Sequence, residues 1–279
     1  MTPLEFEAMG TTVEVHGSSD TVNSVRSMFD RFERRLSRFL PDSELSWINR
    51  HRGRWVPVSS TMFHVLSLAS EMRERTGGLV NIGVGSALAA WGYDRTFSDL
   101  PNLDRPPDRS ADPCWEIGES RVFVDSHTQL DLGGIVKGWA CDNVVEAGDA
   151  AVVSAGGDIR STDASLVVEI ADADGETATE VEIGVGALAT SSTAKRRWRA
   201  GSREANHLID PRTMSPSQSP IISASVVAET AVEAEAGAKA VLLHGVDGLA
   251  WADRQTWIRT AIVVWHDGSV YANGARMAS

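Results

Sequence analysis

Apolar positions along the chain change period several times, and the changes mark out its elements. From Leu4 to His16 they alternate with polar ones on either side of Met9-Gly10-Thr11-Thr12, which predicts two strands joined by a turn. From Asp20, a helix N-cap residue, Val22, Val25, Met28, Phe29, Phe32 and Leu36 fall on one helical face, and the helix must end before Pro41. Ser43–Asn49 predicts a short helix. A second long one runs from Ser59 or Ser60 through Met62, Val65, Leu66, Ala69 and Met72 to Gly77-Gly78. Residues 96–113 carry four of the ten prolines among Asp, Asn and Arg, a composition expected of a surface loop. Beyond it, Arg121–Asp125 and Gln129–Leu132 predict a hairpin, followed by a Gly-Gly turn and a helix from Ile135 to about Glu146. Strands are expected at 150–154, 165–171 and 180–184, then an irregular stretch to His207. In the last third Ile221–Ala228 reads as a strand and Thr230–Leu243 as an Ala-rich helix. Arg259–Trp265 pairs with Ser269–Asn273 across Asp267-Gly268, the dipeptide of a type I′ turn. No fixed-period repeat interrupts this order. The mixture of elements predicts an α+β fold, one body spanning 1–279 that could divide into two lobes.

Charge and cysteine usage narrow the partners. The 26 Lys and Arg against 38 Asp and Glu leave a formal charge of −12, which repels nucleic-acid backbones and anionic lipid. Two cysteines, Cys114 and Cys141, with no CxxC, suit a reducing compartment. The chain opens without a basic, then apolar, leader. It has no run of the roughly 20 apolar residues that a membrane span needs. A soluble, cytoplasmic protein with no nucleic-acid partner and no membrane insertion is therefore expected. Several chemistries are excluded by missing motifs: there is no GxxxxGK[ST], no GxSxG and no HExxH, and none of the seven histidines stands four residues from another. Gly83-Val84-Gly85 lacks the third glycine of a dinucleotide fingerprint. Lys195-Arg196-Arg197-Trp198-Arg199 is a basic cluster in an acidic chain, either a solvated surface loop or a clamp for phosphate or an acidic segment.

Three segments join small residues to charged ones at predicted junctions. In Leu130-Asp131-Leu132-Gly133-Gly134-Ile135-Val136-Lys137-Gly138, glycines let backbone amides approach a ligand at a helix N-terminus, and Lys137 adds a charge, the outline of a polyphosphate cradle; a tight turn with Lys137 in solvent is the other reading. Ser154-Ala155-Gly156-Gly157-Asp158 runs a strand into an acidic turn. Asn206-His207-Leu208-Ile209-Asp210-Pro211-Arg212-Thr213 sets a His and an Asp around an apolar pair.

Together with Met9-Gly10-Thr11, Ser37-Arg38-Phe39 through Asn49, Gly77-Gly78, Trp91-Gly92-Tyr93 and Ala189-Thr190-Ser191, these segments resemble the ApbE-type flavin transferase family, in its order and over most of the chain. The resemblance implies an α+β body with a cleft for FAD. The implied activity is transfer of the FMN half of FAD, through a phosphoester, to a Thr or Ser of an acceptor protein with release of AMP. It implies His207 as general base with Asp210 to orient it, and Met9, Phe39 and Tyr93 in the flavin or adenine pocket. Gly133, Gly134 and Lys137 then fall on the pyrophosphate side, with Asp158 and Thr190 as further contacts. The family's magnesium ion would be held here by the Val136 carbonyl and, in place of an Asp and a Thr, by Glu235 and Lys239. An ammonium has no lone pair to give a metal. Lys239 is thus either a built-in cation that replaces the ion or half of an exposed i, i+4 pair with Glu235. Asn81, Ser192 and Met214 also depart from the family, at positions that usually hold an acid, a Gly and a Gly. Two other readings stand beside transfer: a non-catalytic FAD-binding or electron-relay protein, and an FAD pyrophosphatase giving FMN and AMP.

Overall fold

The computed structural model describes residues 3–95, 100, 103, 105–172, 175–194, 196–273 and 275–276. The chain forms two compact units, one of Met1–Arg31, Ile135–Ala194 and Ser219–Ser279, the other of Phe32–Gly134 and Lys195–Gln218.

The first unit is built on a nine-stranded antiparallel sheet among the described residues. Its strands run in the spatial order Leu4–Ala8, Thr11–His16, Val152–Ala155, Asp158–Ser161, Gly186–Ser192, Ile221–Ala228, Ile258–Trp265, Val270–Ala272 and Ala275–Arg276. On the two central strands, Ala187, Ala189, Ala224, Val226 and Ala228 share one face. Side chains this small let the helix Ala231–His244 approach closely: a Cβ on its Gly237 would come within 2.9 Å of Val226 Cγ1. The helix Val136–Glu146 packs beside it, and a Cβ on Gly138 would stand 2.6 Å from the Ala231 carbonyl oxygen. The other sheet face buries Leu188, Val227 and Ile262 with Ile170 and Ile183, under the hairpin of Val167–Ala171 and Thr177–Glu182. Phe29, on the helix Ser19–Leu36, meets Phe6 edge-on at 5.9 Å.

The second unit holds the helices Glu44–Arg50, Ser60–Arg75 and Gly85–Ala90 and the three-stranded sheet Trp55–Pro57, Arg121–Val124 and Trp115–Gly118. Ser43 and Ser59 cap the first two helices, accepting hydrogen bonds from Ser46 and Met62 N–H. A separate core joins Leu88, Trp91 and Tyr93 to Trp198, Ile209 and Met214.

Three expectations are corrected. Arg121–Val124 pairs with Trp115–Gly118 and Trp55–Pro57 rather than with 129–132. There the Asn49 side chain takes both backbone groups of Leu130, at 2.9 and 2.8 Å, and leaves no edge for a hairpin. The irregular stretch before His207 contains the central strand Gly186–Ser192 and the hairpin of Arg197–Ala200 and Arg203–Asn206. Residues 269–273 do turn back on 258–265, but Asp267 is not among the residues with positive φ, so the loop is not type I′; Gly268 alone reverses it, at φ 81°. The type I′ signature appears instead at Met9 (φ 52°) and Gly10 (φ 69°), between paired Ala8 and Thr11. The described residues of the 96–113 segment contain no regular helix or strand; 96–99, 101, 102 and 104 lie outside the described residues, as does Lys195 of the basic cluster. No helix among the described residues is long and apolar enough to cross a membrane.

Between the two packed helices Asp142 accepts N–H bonds from Ala231 (2.8 Å) and Val232 (3.0 Å), and its Oδ1 lies 3.1 Å from Arg160 Nε. Burial pushes its carboxyl up to about 6, against the pull of those donors and of Arg160. A raised folded-state value means that this group's contribution to stability is complete below its unfolded value of 3.8 and is lost as pH rises through about 6. Asp142→Asn should therefore gain roughly 3 kcal/mol relative to the natural chain between those limits, read by urea unfolding at the two pH values. Gly138→Ala should destabilise by about 1–3 kcal/mol in the same assay, because the overpacked carbonyl is backbone and cannot swing away; the better helix propensity of Ala returns less than about 1 kcal/mol.

Candidate active site

In the first unit three elements bring Lys137, Asp158 and Glu235 together. Lys137 lies in the first turn of Val136–Glu146, Asp158 opens the strand Asp158–Ser161, and Glu235 lies in Ala231–His244. The Lys137 ammonium contacts the Asp158 carboxylate and stands 3.1 Å from Glu235 Oε1, while Glu235 Oε2 accepts the Gly138 N–H at 3.1 Å. The three side chains are only 17%, 3% and 6% exposed. Burial works to lower the Lys137 value, but the charges of Asp158 and Glu235 outweigh it and hold the ammonium charged well above its ordinary range. Burial pushes Asp158 up, opposed by Lys137, with Glu235 adding to the rise and Lys239 opposing it. Lys137 therefore does not lie in solvent. Glu235 is not half of an exposed pair either, since it is buried and bonded to the neighbouring helix.

Ile135 is the N-cap of the Lys137 helix and provides no side-chain hydrogen bond. The companion helix contrasts with it: Thr230 and Glu233 form a full capping box. With Glu235 accepting the Gly138 N–H, what this N-terminus offers an anion is the earlier amides of the turn and the helix dipole. Met9 sits at the tip of the first hairpin, half-buried, and the pairing of Val13 with Ala155 sets that tip beside the Gly156-Gly157 turn. The approach is close, since a Cβ on Gly156 would fall 2.3 Å from Thr11 Oγ1. Thr190 is not brought to this group. It shares the sheet face of Leu188 and Ile159, opposite to that of Asp158, and its hydroxyl lies 2.8 Å from that of Ser225.

The second unit gathers Phe39 and Tyr93 around a residue not singled out from the sequence, Arg38. Its guanidinium pairs with Asp131, donates to the Tyr93 carbonyl at 2.6 Å, and lies 4.2 Å from the Phe39 ring centroid and 5.0 Å from that of Tyr93. The two rings are 5.8 Å apart. Asp131 Oδ1 also accepts the Gly133 N–H at 2.8 Å, so the first glycine of the Gly133-Gly134 pair is fixed by the same carboxylate. Phe39 borders a cavity of about 550 Å³ that Arg38, Arg50 and Arg52 also line.

His207 follows the strand Arg203–Asn206 and is half-buried. Asn206 holds the loop, accepting from Leu208 N–H at 3.1 Å and donating to the Ser217 carbonyl at 3.0 Å. The Asp210 carboxylate is taken up by Arg212, through its backbone N–H at 2.9 Å and its guanidinium at 2.6–3.1 Å, so it orders the Asp-Pro-Arg-Thr turn. The turn closes on Met214 at φ 54°. That conformation explains why a glycine suits the position, and the Met side chain, 1% exposed, fills the core beneath. Asn81 replaces an acid without loss of its acceptor role: its Oδ1 takes the Gly83 N–H at 2.9 Å and Trp115 Nε1–H at 3.0 Å. Ser192 holds the Ile222 carbonyl at 3.1 Å.

The donor set around Glu235 does not fit a divalent ion. Both its carboxylate oxygens already accept from N–H donors, Asp158 is held by Lys137, and Lys239 has no lone pair. Among the described residues no three His, Cys, Asp or Glu side chains cluster as metal ligands would.

Comparison with known proteins places the chain in a family. The FAD:protein FMN transferase of Haemophilus influenzae is 24% identical over 281 residues, covering 88% of this chain and 81% of that protein. That of Treponema pallidum is 28% identical over 267 residues, covering 84% and 73%. A crystal structure of an ApbE protein from Thermotoga maritima superposes with a TM-score of 0.85 at 23% identity, covering 96% of both chains. The flavin transferase ApbE from Vibrio cholerae gives 0.82 at 22%, covering 98% of this chain and 97% of that one. The fold is thus shared at low identity, and the model of the ApbE family matches residues 9–262, so the chain belongs to the ApbE family.

Proposed function

We propose that this chain is an FAD:protein FMN transferase: it takes FAD as donor, attaches FMN to a Ser or Thr hydroxyl of an acceptor protein, and releases AMP. The observation that carries the reading is the N-terminus of the helix Val136–Glu146, preceded by Gly133-Gly134 and started by Ile135, which provides no side-chain cap, while Glu235 takes the Gly138 amide: the earlier amides are suited to the pyrophosphate. The names of its relatives support the same donor and acceptor.

The chemistry is a displacement at the FMN phosphorus. The acceptor hydroxyl oxygen bonds to that phosphorus, the bond from it to the bridging oxygen breaks, and AMP leaves with that oxygen. His207 takes the hydroxyl proton, a role suited to an imidazole near neutral pH. Lys137 anchors the helix whose first amides meet the pyrophosphate, held to its place by Asp158 and Glu235. Phe39, exposed beside Arg38, offers an aromatic surface for a flavin or adenine ring, Tyr93 backs it from the core, and Met9 adds an apolar contact. Asp210 shapes the turn after His207, and Thr190 stays with the sheet. No step is assigned to magnesium. We place the reaction in the cytoplasm, where Cys114 and Cys141 remain free thiols.

The test is incubation with FAD and an acceptor flavodomain, followed by intact mass of the acceptor and free AMP. An FMN-sized gain is expected, with AMP in equal amount. His207→Ala should slow it by about 10²–10⁴-fold with FAD affinity little changed. AMP with free FMN would mean an FAD pyrophosphatase, and bound FAD with neither product a flavin-binding or electron-relay protein; either outcome would overturn the proposal.

A further inference from the structure

The buried cluster in the first unit carries its own counter-charge. Two carboxylates, Asp158 and Glu235, hold the Lys137 ammonium between them, and Lys239 stands one helical turn beyond Glu235, near enough for its charge to act on Asp158. Charges buried this deeply persist only when paired, and here both acids are paired with Lys137. An added divalent ion would need several oxygen ligands close around it. To supply them, Glu235 would have to release both Lys137 and the Gly138 N–H, and the ion would then share a dry site with two ammonium groups.

We infer that Lys239, beside the Lys137 ion pairs, takes the place of a divalent cation at Asp158 and Glu235, so that this chain works with no metal ion bound there. The inference rests on the proposed transfer only for its kinetic consequence. The fixed charge of Lys239 offsets the negative charge that gathers near the acids when an anionic donor binds. Lys239 thus acts as an electrostatic positioning residue, present before the substrate arrives and needing no ion to be recruited.

Two readouts test this separately. Binding is read by the EPR signal of free Mn²⁺ with the full chain, alone and with FAD, against FAD-only controls. The natural chain should leave the signal as Glu235→Gln leaves it, and the double variant Glu235→Asp, Lys239→Thr should deplete it. Turnover is read as FMN transfer in magnesium or EDTA. The natural chain should differ by less than about twofold, whereas Lys239→Thr should fall by about 10²-fold in EDTA and recover in magnesium. Lys239→Met, which keeps the length without charge, should fall without recovering, and thermal melts confirm that each variant folds. Mn²⁺ binding by the natural chain that Glu235→Gln abolishes, loss of its transfer in EDTA, or a double variant that folds yet gains no Mn²⁺ would overturn the inference. Absence of transfer under both conditions would instead sink the transferase reading, and the Mn²⁺ result would still decide the question of the ion.

Discussion

The first unit depends on a lysine ammonium caught between two carboxylates in a nearly dry place. Lys137, Asp158 and Glu235 come from two helices and a strand, so the requirement that buried charges be paired fixes how those elements meet. The pairing is possible only because the sheet face beneath is lined with alanines and because Gly138 and Gly237 let backbone approach backbone and side chain closely. Small residues and buried charge are thus one design: a larger side chain at the contact would hold Glu235 away from both its donors.

The second unit uses a cation differently. Arg38 presents a planar fork, so it can pair with Asp131, donate to a carbonyl and lie against two aromatic rings at once. A lysine could supply the charge but not the flat surface. Through Asp131 the same contact reaches Gly133, which links an aromatic cluster to the glycine turn without any side chain on the turn itself.

Much of this was legible in the sequence. Helices with a clear apolar stripe lie within a residue or two of their expected bounds, because periodicity and capping are local signals, although Asp20 is the second residue of its helix rather than its cap. The glycine segments around 133–138 and 156–158 stood out for the same reason. What escaped was set by distant partners. Gly186–Ser192 is poor in the β-branched residues of an ordinary strand and has no aromatic one, since its alanines answer to a helix more than 40 residues later. Leu130 is kept from a hairpin by Asn49, far upstream. The Asp210 carboxylate accepts from Arg212, two residues away, a pairing that no spacing rule announces. The charge of Lys137 was visible, but its direction was not: no spacing rule says that a lysine in a glycine-rich segment faces two acids rather than solvent.

The chain passes from one unit to the other four times, each unit being assembled from separated stretches. No single cut can therefore release either of them whole. A fragment ending before 219 lacks the strands that complete the sheet, and one ending before 195 also lacks Trp198, Ile209 and Met214, which finish the other core. During synthesis neither core is complete until the chain beyond residue 194 has been made, so apolar strands made earlier stay exposed until then. Dissection by truncation would report unfolding rather than the work of a part, and the division of labour between the units is accessible only through point substitutions in the intact chain.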